Sequence, residues 1–321
     1  VGQNVPVEDL RKEFDAILLS GGAESPRDLT VPGRELKGIH FAMEFLPQQN
    51  RRNAGDQVVN QILATGKRVV IIGGGDTGAD CLGTSHRQKA KSVHQFEIMP
   101  KPPDQRSPST PWPLWPLQLR SESSHEEGGL RDWAIGTTHF TGDEHGNVKH
   151  LHAVRVGPPP KFEPQPGTEF ILETELVLLA LGFLGPVKPG MIEQLGLALD
   201  SRSNIATENY MSSVTGVFAA GDMRRGQSLI VWAIAEGRKA ARAVDIEHPY
   251  RELRRRARGS RNRIRDVVEL AIVEDLIRAG LLDLVEYPEP RRVHQLQPDL
   301  ERADLVGEHP YKFDSPVCVV H

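Results

Sequence analysis

Aliphatic and β-branched residues recur along the chain in short runs, and most of those runs stop at a glycine. Residues 13–22, EFDAILLSGG, read as a short apolar strand entering a glycine turn. The polar, Pro- and Gly-marked stretch ESPRDLTVPGREL reads as a connection, and GIHFAMEFL at 38–46 as the start of a short helix. KRVVII at 67–72 is a continuous β-branched run, the pattern of a strand buried on both faces of a parallel sheet, and it passes directly into GGGDTG. Residues 77–88 have the length and composition of a helix, and 92–99, SVHQFEIM, read as a second strand. The stretch 133–156 reads as a hairpin turning at 141–147; 173–183 and 216–222 read as two more buried strands, each running into glycine. Residues 228–245 predict a helix with Ser228 as its N-cap.

Other segments break this rhythm. Residues 100–120, PKPPDQRSPSTPWPLWPLQLR, carry too many prolines for a regular helix. His125, Glu126 and Glu127 read as part of a structural loop. After His248 the composition shifts, with eight arginines in residues 251–265 and then a helical pattern over 263–282. A solvated linker or helix is the expectation for that basic stretch, because no aromatic residues interleave with it.

Composition narrows the function classes. The chain has 321 residues, 38% of them hydrophobic and 26% charged, which fits about two globular domains. A net charge of −4 supplies no overall field for nucleic acid, so no nucleic-acid partner is expected. No apolar run is long enough for a membrane span. Two cysteines, Cys81 and Cys318, point to a reducing cytoplasm rather than a disulfide framework, and they are too few for an ordinary iron–sulfur cluster. His150 and His152 lie two apart on one strand face without a third ligand, so no metal site is expected.

The chemistry concentrates in the glycine loop. Gly73, Gly75 and Gly78 form G-x-G-x-x-G between a strand and a helix, the context in which that spacing binds a dinucleotide. The first glycine permits the turn, the second lets the backbone approach a diphosphate, and the third lets helix and strand pack closely. The phosphates then sit on the free amides and positive dipole end of the helix. Arg87 closes that helix and Lys101 follows the second strand, while Glu97 lies inside the strand. The reading favours NADP, with Arg87 and Lys101 on the 2′-phosphate; the alternative is that both are solvated surface cations. A second site is marked by Gly221 and Asp222 at the end of an apolar run, where a carboxylate could accept hydrogen bonds from sugar or ribitol hydroxyls.

Together GGGDTGADCLGTSHRQ, FEIMPKPP, PWPLWPLQLRSESSHEEG, GDEHGNV, LVLLALGFLGP and GVFAAGDMRRGQSLIVWAIAEGRKAA resemble the glutamate synthase small (beta) subunit family, over about residues 5–245. PWPLWP and SSHEEG are the specific segments, since neither is needed for a generic dinucleotide-binding fold. The resemblance implies an α/β, two-dinucleotide-binding, Rossmann-like oxidoreductase with an NADPH domain inserted into a split FAD domain. It implies hydride transfer from NADPH to FAD, and electrons passed through iron–sulfur clusters to the glutamate synthase large (alpha) subunit. Gly73, Gly75, Asp76, Thr77 and Gly78 would hold NADPH. Gly21, Gly22, Gly221, Asp222, Gln227, Ser228, Leu229 and Trp232 would hold FAD, and no side chain is nominated as an acid or base. On this reading the chain is N-terminally truncated, with its FAD site incomplete. The expected organisation is a first FAD segment and crossover at 1–45, the NADPH domain at 46–185, a returning FAD segment at 186–248 and an unassigned tail at 249–321. Two alternatives carry the same module: a dihydropyrimidine dehydrogenase-like or ferredoxin–NADP reductase-like reductase, and a truncated NADP-binding remnant without activity.

Overall fold

The computed structural model describes residues 5–14, 16–112, 114, 116–247 and the backbone of 317–320. The basic stretch at 251–265 and the helix expected at 263–282 lie outside the described residues. The chain divides into two compact units, one formed by residues 1–25 with 184–321 and the other by 26–183. One unit is thus continuous in sequence and the other is split around it.

In the continuous unit, five parallel strands form a sheet in the order Ile39–Phe41, Leu176–Leu179, Arg68–Ile72, Ser92–Glu97, Leu130–Trp133. The alternation of a strand sorts the side chains of RVVII onto two faces. Val69 and Ile71 join Ala42, Phe45, Cys81 and Leu82 in a core under the helices Ala42–Asn53 and Asp76–Arg87. Val70 and Ile72 join Phe96, Ile135, Phe140 and Leu151 in a second core on the other face. That face is covered by an antiparallel sheet of Ile135–Gly142, Val148–Arg155 and Phe170–Glu173, whose first two strands are the hairpin expected from the sequence. Burial on both faces is why Arg68–Ile72 and Leu176–Leu179 read as unbroken apolar runs.

The segment 38–46 differs from the expected helix start. Ile39–Phe41 is a strand beside Leu176–Leu179, and the helix begins at Ala42 and runs to Asn53 with Pro47 inside it. Glu44 accepts the Phe41 amide at 2.9 Å and fixes the switch from strand to helix. This strand belongs to the continuous unit, which begins at Pro26.

In the split unit, Ala16–Leu19 lies between Val217–Ala219 and Val317–Val320, all parallel. Ile17 and Leu19 pack with Val217, Ile192, Ile205 and Met223 on one face. Ala16, Leu18 and Phe218 pack against Ala240, Ala243 and Val244 of the long helix Ile230–Glu247 on the other. Among the described residues no helix is long and apolar enough to cross a membrane.

Candidate functional site

The glycine loop follows the central strand Arg68–Ile72 and leads into the helix Asp76–Arg87. Gly73 has φ +127, and a Cβ there would overlap the backbone carbonyl of Ala180. A Cβ on Gly78 would meet the Gly73 carbonyl and lie 2.6 Å from the Gln95 amide nitrogen. Both positions are closed to any side chain by the protein itself. Gly75 is different: its φ is −83, ordinary for any residue, and a Cβ there would meet nothing within 4 Å. No side chain caps the helix that starts behind it, which leaves the first-turn amides of Asp76, Thr77 and Gly78 as donors at the positive dipole end.

A buried relay supports this loop. The Gln95 side-chain amide donates to the Gly73 carbonyl at 2.9 Å, and its oxygen faces His125 Nε2 at 3.0 Å. The Glu122 amide donates to His125 Nδ1 at 2.9 Å, so Nδ1 is an acceptor and the ring proton lies on Nε2, donating to Gln95. Residues 123–126 form a one-turn helix rather than the expected loop, capped by this His125–Glu122 exchange. The SSHEEG segment therefore acts on the glycine loop through one buried glutamine.

Burial first, and then the nearby Arg131 guanidinium, hold the His125 pKa below its ordinary value of 6.5, while Glu122 opposes them. An unfolded chain then binds more protons than the folded one as pH falls through the ordinary histidine value, so stability drops with falling pH in that window. His40 and His94 are shifted the same way, chiefly by burial. The thermal midpoint is expected to fall between pH 7 and pH 5. His125→Asn, which keeps an acceptor near the Nδ1 position but does not titrate, is expected to remove part of that slope. The part belonging to this half-exposed ring is less than about 1 kcal/mol after solvent screening. Parallel slopes for variant and wild type would show that His125 does not titrate against the fold.

The residues expected at the adenosine end are placed as follows. The Arg87 guanidinium is paired with Glu127. The Lys101 ammonium lies 3.6 Å from Asp104 and 5.6 Å from the Trp133 ring centre. Glu97, read from sequence only as a strand residue, is the last residue of Ser92–Glu97, and its carboxylate accepts the Gly74 amide at 2.7 Å and the Met99 amide at 2.9 Å.

The split unit carries the second set. Gly221 precedes the short helix Asp222–Arg225, and Asp222 accepts the Ser228 hydroxyl at 3.0 Å. The long helix starts at Ile230, not at Ser228, and the Leu229 carbonyl just before it accepts the Trp232 amide at 2.9 Å. Ser228 is drawn out of the cap position because its hydroxyl bridges to Asp222. Gln227 lies in the connection between the two helices. Leu229, Ile230, Val231 and Trp232 form an exposed apolar run at the helix start, and the Arg225 guanidinium sits 4.2 Å from the Trp232 ring centre. Gly21 and Gly22 follow the strand Ala16–Leu19, and the Gly21 amide donates to the Met223 sulfur at 2.9 Å.

Sequence reasoning missed Glu236. It is 3% exposed, accepts the Gly221 amide at 3.1 Å, and takes Arg224 at 2.8 Å and Arg225 at 2.9 Å on its other oxygen. A carboxylate amid AIAEG on an apolar helix face was the available signal, since a buried acid requires partners.

Residues 146–237 match the pyridine nucleotide-disulphide oxidoreductase family. The chain is 55% identical over 252 residues to the glutamate synthase [NADPH] small chain of Mycobacterium tuberculosis, covering 76% of this chain and 51% of that one. It is 44% identical over 266 residues to the glutamate synthase [NADH] of Schizosaccharomyces pombe, covering 77% of this chain and 12% of the relative. The chain thus spans about half the length of the curated small chains it matches, 51% and 52% for those of M. tuberculosis and Bacillus subtilis. Among solved structures, FprA of M. tuberculosis in complex with NADPH superposes with a TM-score of 0.56 at 16% identity, covering 80% of this chain and 68% of that one. That likeness is one of fold.

Proposed function

We propose that this chain, a homologue of the glutamate synthase small chains, is the NADPH- and flavin-binding reductase part of such an enzyme, passing electrons to a glutamate-forming large subunit in the cytoplasm. The observation that carries the reading is Gly75. The protein itself leaves open space where a Cβ would stand, yet glycine is present, directly before an uncapped helix start. A diphosphate fits that space and those amides.

On this reading Gly73 and Gly78 shape the loop, and Gly75, Asp76, Thr77 and Gly78 hold the diphosphate of NADPH. Arg87 and Lys101 would serve a 2′-phosphate by turning away from Glu127 and Asp104. In the split unit, Gly21, Gly22 and Gly221 bring backbone close to FAD, and Asp222 accepts a hydroxyl of its ribityl or ribose part. Gln227, Ser228 and Leu229 line the flavin edge, and Trp232 offers an aromatic surface. The bound pair supplies hydride transfer from nicotinamide to flavin. The chain's task is then orientation and exclusion of water, and no side-chain acid or base is required. Electrons would leave to clusters outside the described residues, among which no His, Cys, Asp and Glu group could hold a metal.

The test is direct. The purified chain is incubated with FAD, freed of unbound flavin, and treated anaerobically with NADPH. Retained flavin colour that bleaches is the expected result, and glutamate formation from 2-oxoglutarate and glutamine is expected once the large subunit is added. A folded chain that retains no flavin overturns the flavin half, and one that binds neither NADPH nor NADH overturns the whole.

A further inference from the structure

Glu97 stands where the choice between two dinucleotides is made. It ends the second strand, one residue past the Phe96–Ile72 pair, so it comes level with the glycine loop. One oxygen accepts the Gly74 amide and the other the Met99 amide, at 2.7 and 2.9 Å. Two backbone donors therefore fix the carboxylate in place, and each oxygen keeps a further lone pair. A Cβ on Gly74 would lie 2.7 Å from this carboxylate, so the loop is shaped around it. Among the described residues no Lys, Arg or His is paired with Glu97. The two cations read from the sequence for a 2′-phosphate are engaged elsewhere, Arg87 with Glu127 and Lys101 beside Asp104 and Trp133.

A dinucleotide whose diphosphate sits at the start of the Asp76–Arg87 helix brings its adenosine ribose to the end of the second strand. A fixed, uncompensated carboxylate there suits a vicinal diol, whose two hydroxyls donate to it. The same carboxylate repels a phosphate ester carrying two negative charges. The relatives include glutamate synthases named for each nucleotide, so homology leaves this choice open.

We infer that Glu97 is a specificity residue that seats the ribose hydroxyls of the unphosphorylated dinucleotide, so that the glycine loop takes NADH at least as readily as NADPH. The inference rests on the proposed reading of that loop as a pyridine-nucleotide site.

Calorimetric titration of the full chain with NADH and, separately, with NADPH decides it without need of turnover. The expected result is a dissociation constant for NADH equal to or below that for NADPH. In Glu97→Gln, which keeps an acceptor for one backbone amide and loses the charge, NADH binding should weaken about tenfold or more, as befits loss of hydrogen bonds to a charged group. NADPH binding should hold or tighten. The thermal midpoint of the variant reports its folding, and the wild-type ratio decides the matter should the variant not fold. Tenfold tighter binding of NADPH by the wild type, or equal weakening of both nucleotides in Glu97→Gln, overturns the inference while leaving the nucleotide site standing. No binding of either nucleotide overturns both.

Discussion

Gly73→Ala is expected to destabilise the continuous unit by about 3–5 kcal/mol, whereas Gly75→Ala, two residues on, should cost less than about 1 kcal/mol. The first substitution forces a side chain onto φ +127 and into the carbonyl of Ala180, which follows the neighbouring strand Leu176–Leu179. Backbone in a sheet cannot step aside as a flexible side chain can. The second places a methyl group at φ −83 into open space. The order reverses for the ligand. On the proposed reading the methyl of Gly75→Ala would occupy the approach of a diphosphate to the helix start, so nucleotide affinity should fall about tenfold or more through lost charge-assisted hydrogen bonds. Thermal melts and nucleotide titrations of the two variants check both halves. A folded Gly75→Ala that binds NADPH as well as wild type would mean that the loop holds no diphosphate.

Glu236→Ala should be the most damaging change in the split unit, at about 2–4 kcal/mol, below the value for a fully buried pair because both arginine heads keep some solvent. One buried carboxylate holds Arg224, Arg225 and the Gly221 amide together. Its loss takes the carboxylate from both guanidiniums, leaving Arg224 the Thr207 hydroxyl at 2.8 Å, and leaves an amide without a partner. The consequence reaches Asp222, because Gly221 and Arg224 flank it on the one-turn helix that presents its carboxylate. Retained flavin should therefore fall further in Glu236→Ala than in a control such as Arg202→Ala, whose side chain only reaches Asp200 at 3.7 Å. Glu236→Gln, which keeps an acceptor and a similar shape, should recover part of the stability. A Glu236→Ala chain that melts as wild type would show that the arginines are held by other contacts.

The strand–glycine loop–helix unit was legible because its signals are local. KRVVII followed by G-x-G-x-x-G is strand, turn and helix within one short stretch, and each glycine answers to backbone geometry nearby. The hairpin was legible for the same reason: alternation and turn residues lie side by side. The Ile39–Phe41 strand was not. Three residues carry too little pattern, and what makes GIHF extended is a partner strand at Leu176–Leu179, far away in sequence. The helix start at Ile230 was misplaced because Ser228, a good cap by composition, spends its hydroxyl on Asp222 instead.

By itself the sequence determined the order of strands and helices around the glycine loop, and it did so because burial on both faces and tight turns write themselves into neighbouring residues. Only the tertiary structure decided that SSHEEG reaches the loop through Gln95, that Glu236 clamps the Gly221 turn, and that Glu97 lies on the Gly74 amide. Each of these is a buried or half-buried polar group satisfied by a partner distant in sequence. Residue type announces that such a group needs a partner, but folding chooses which one.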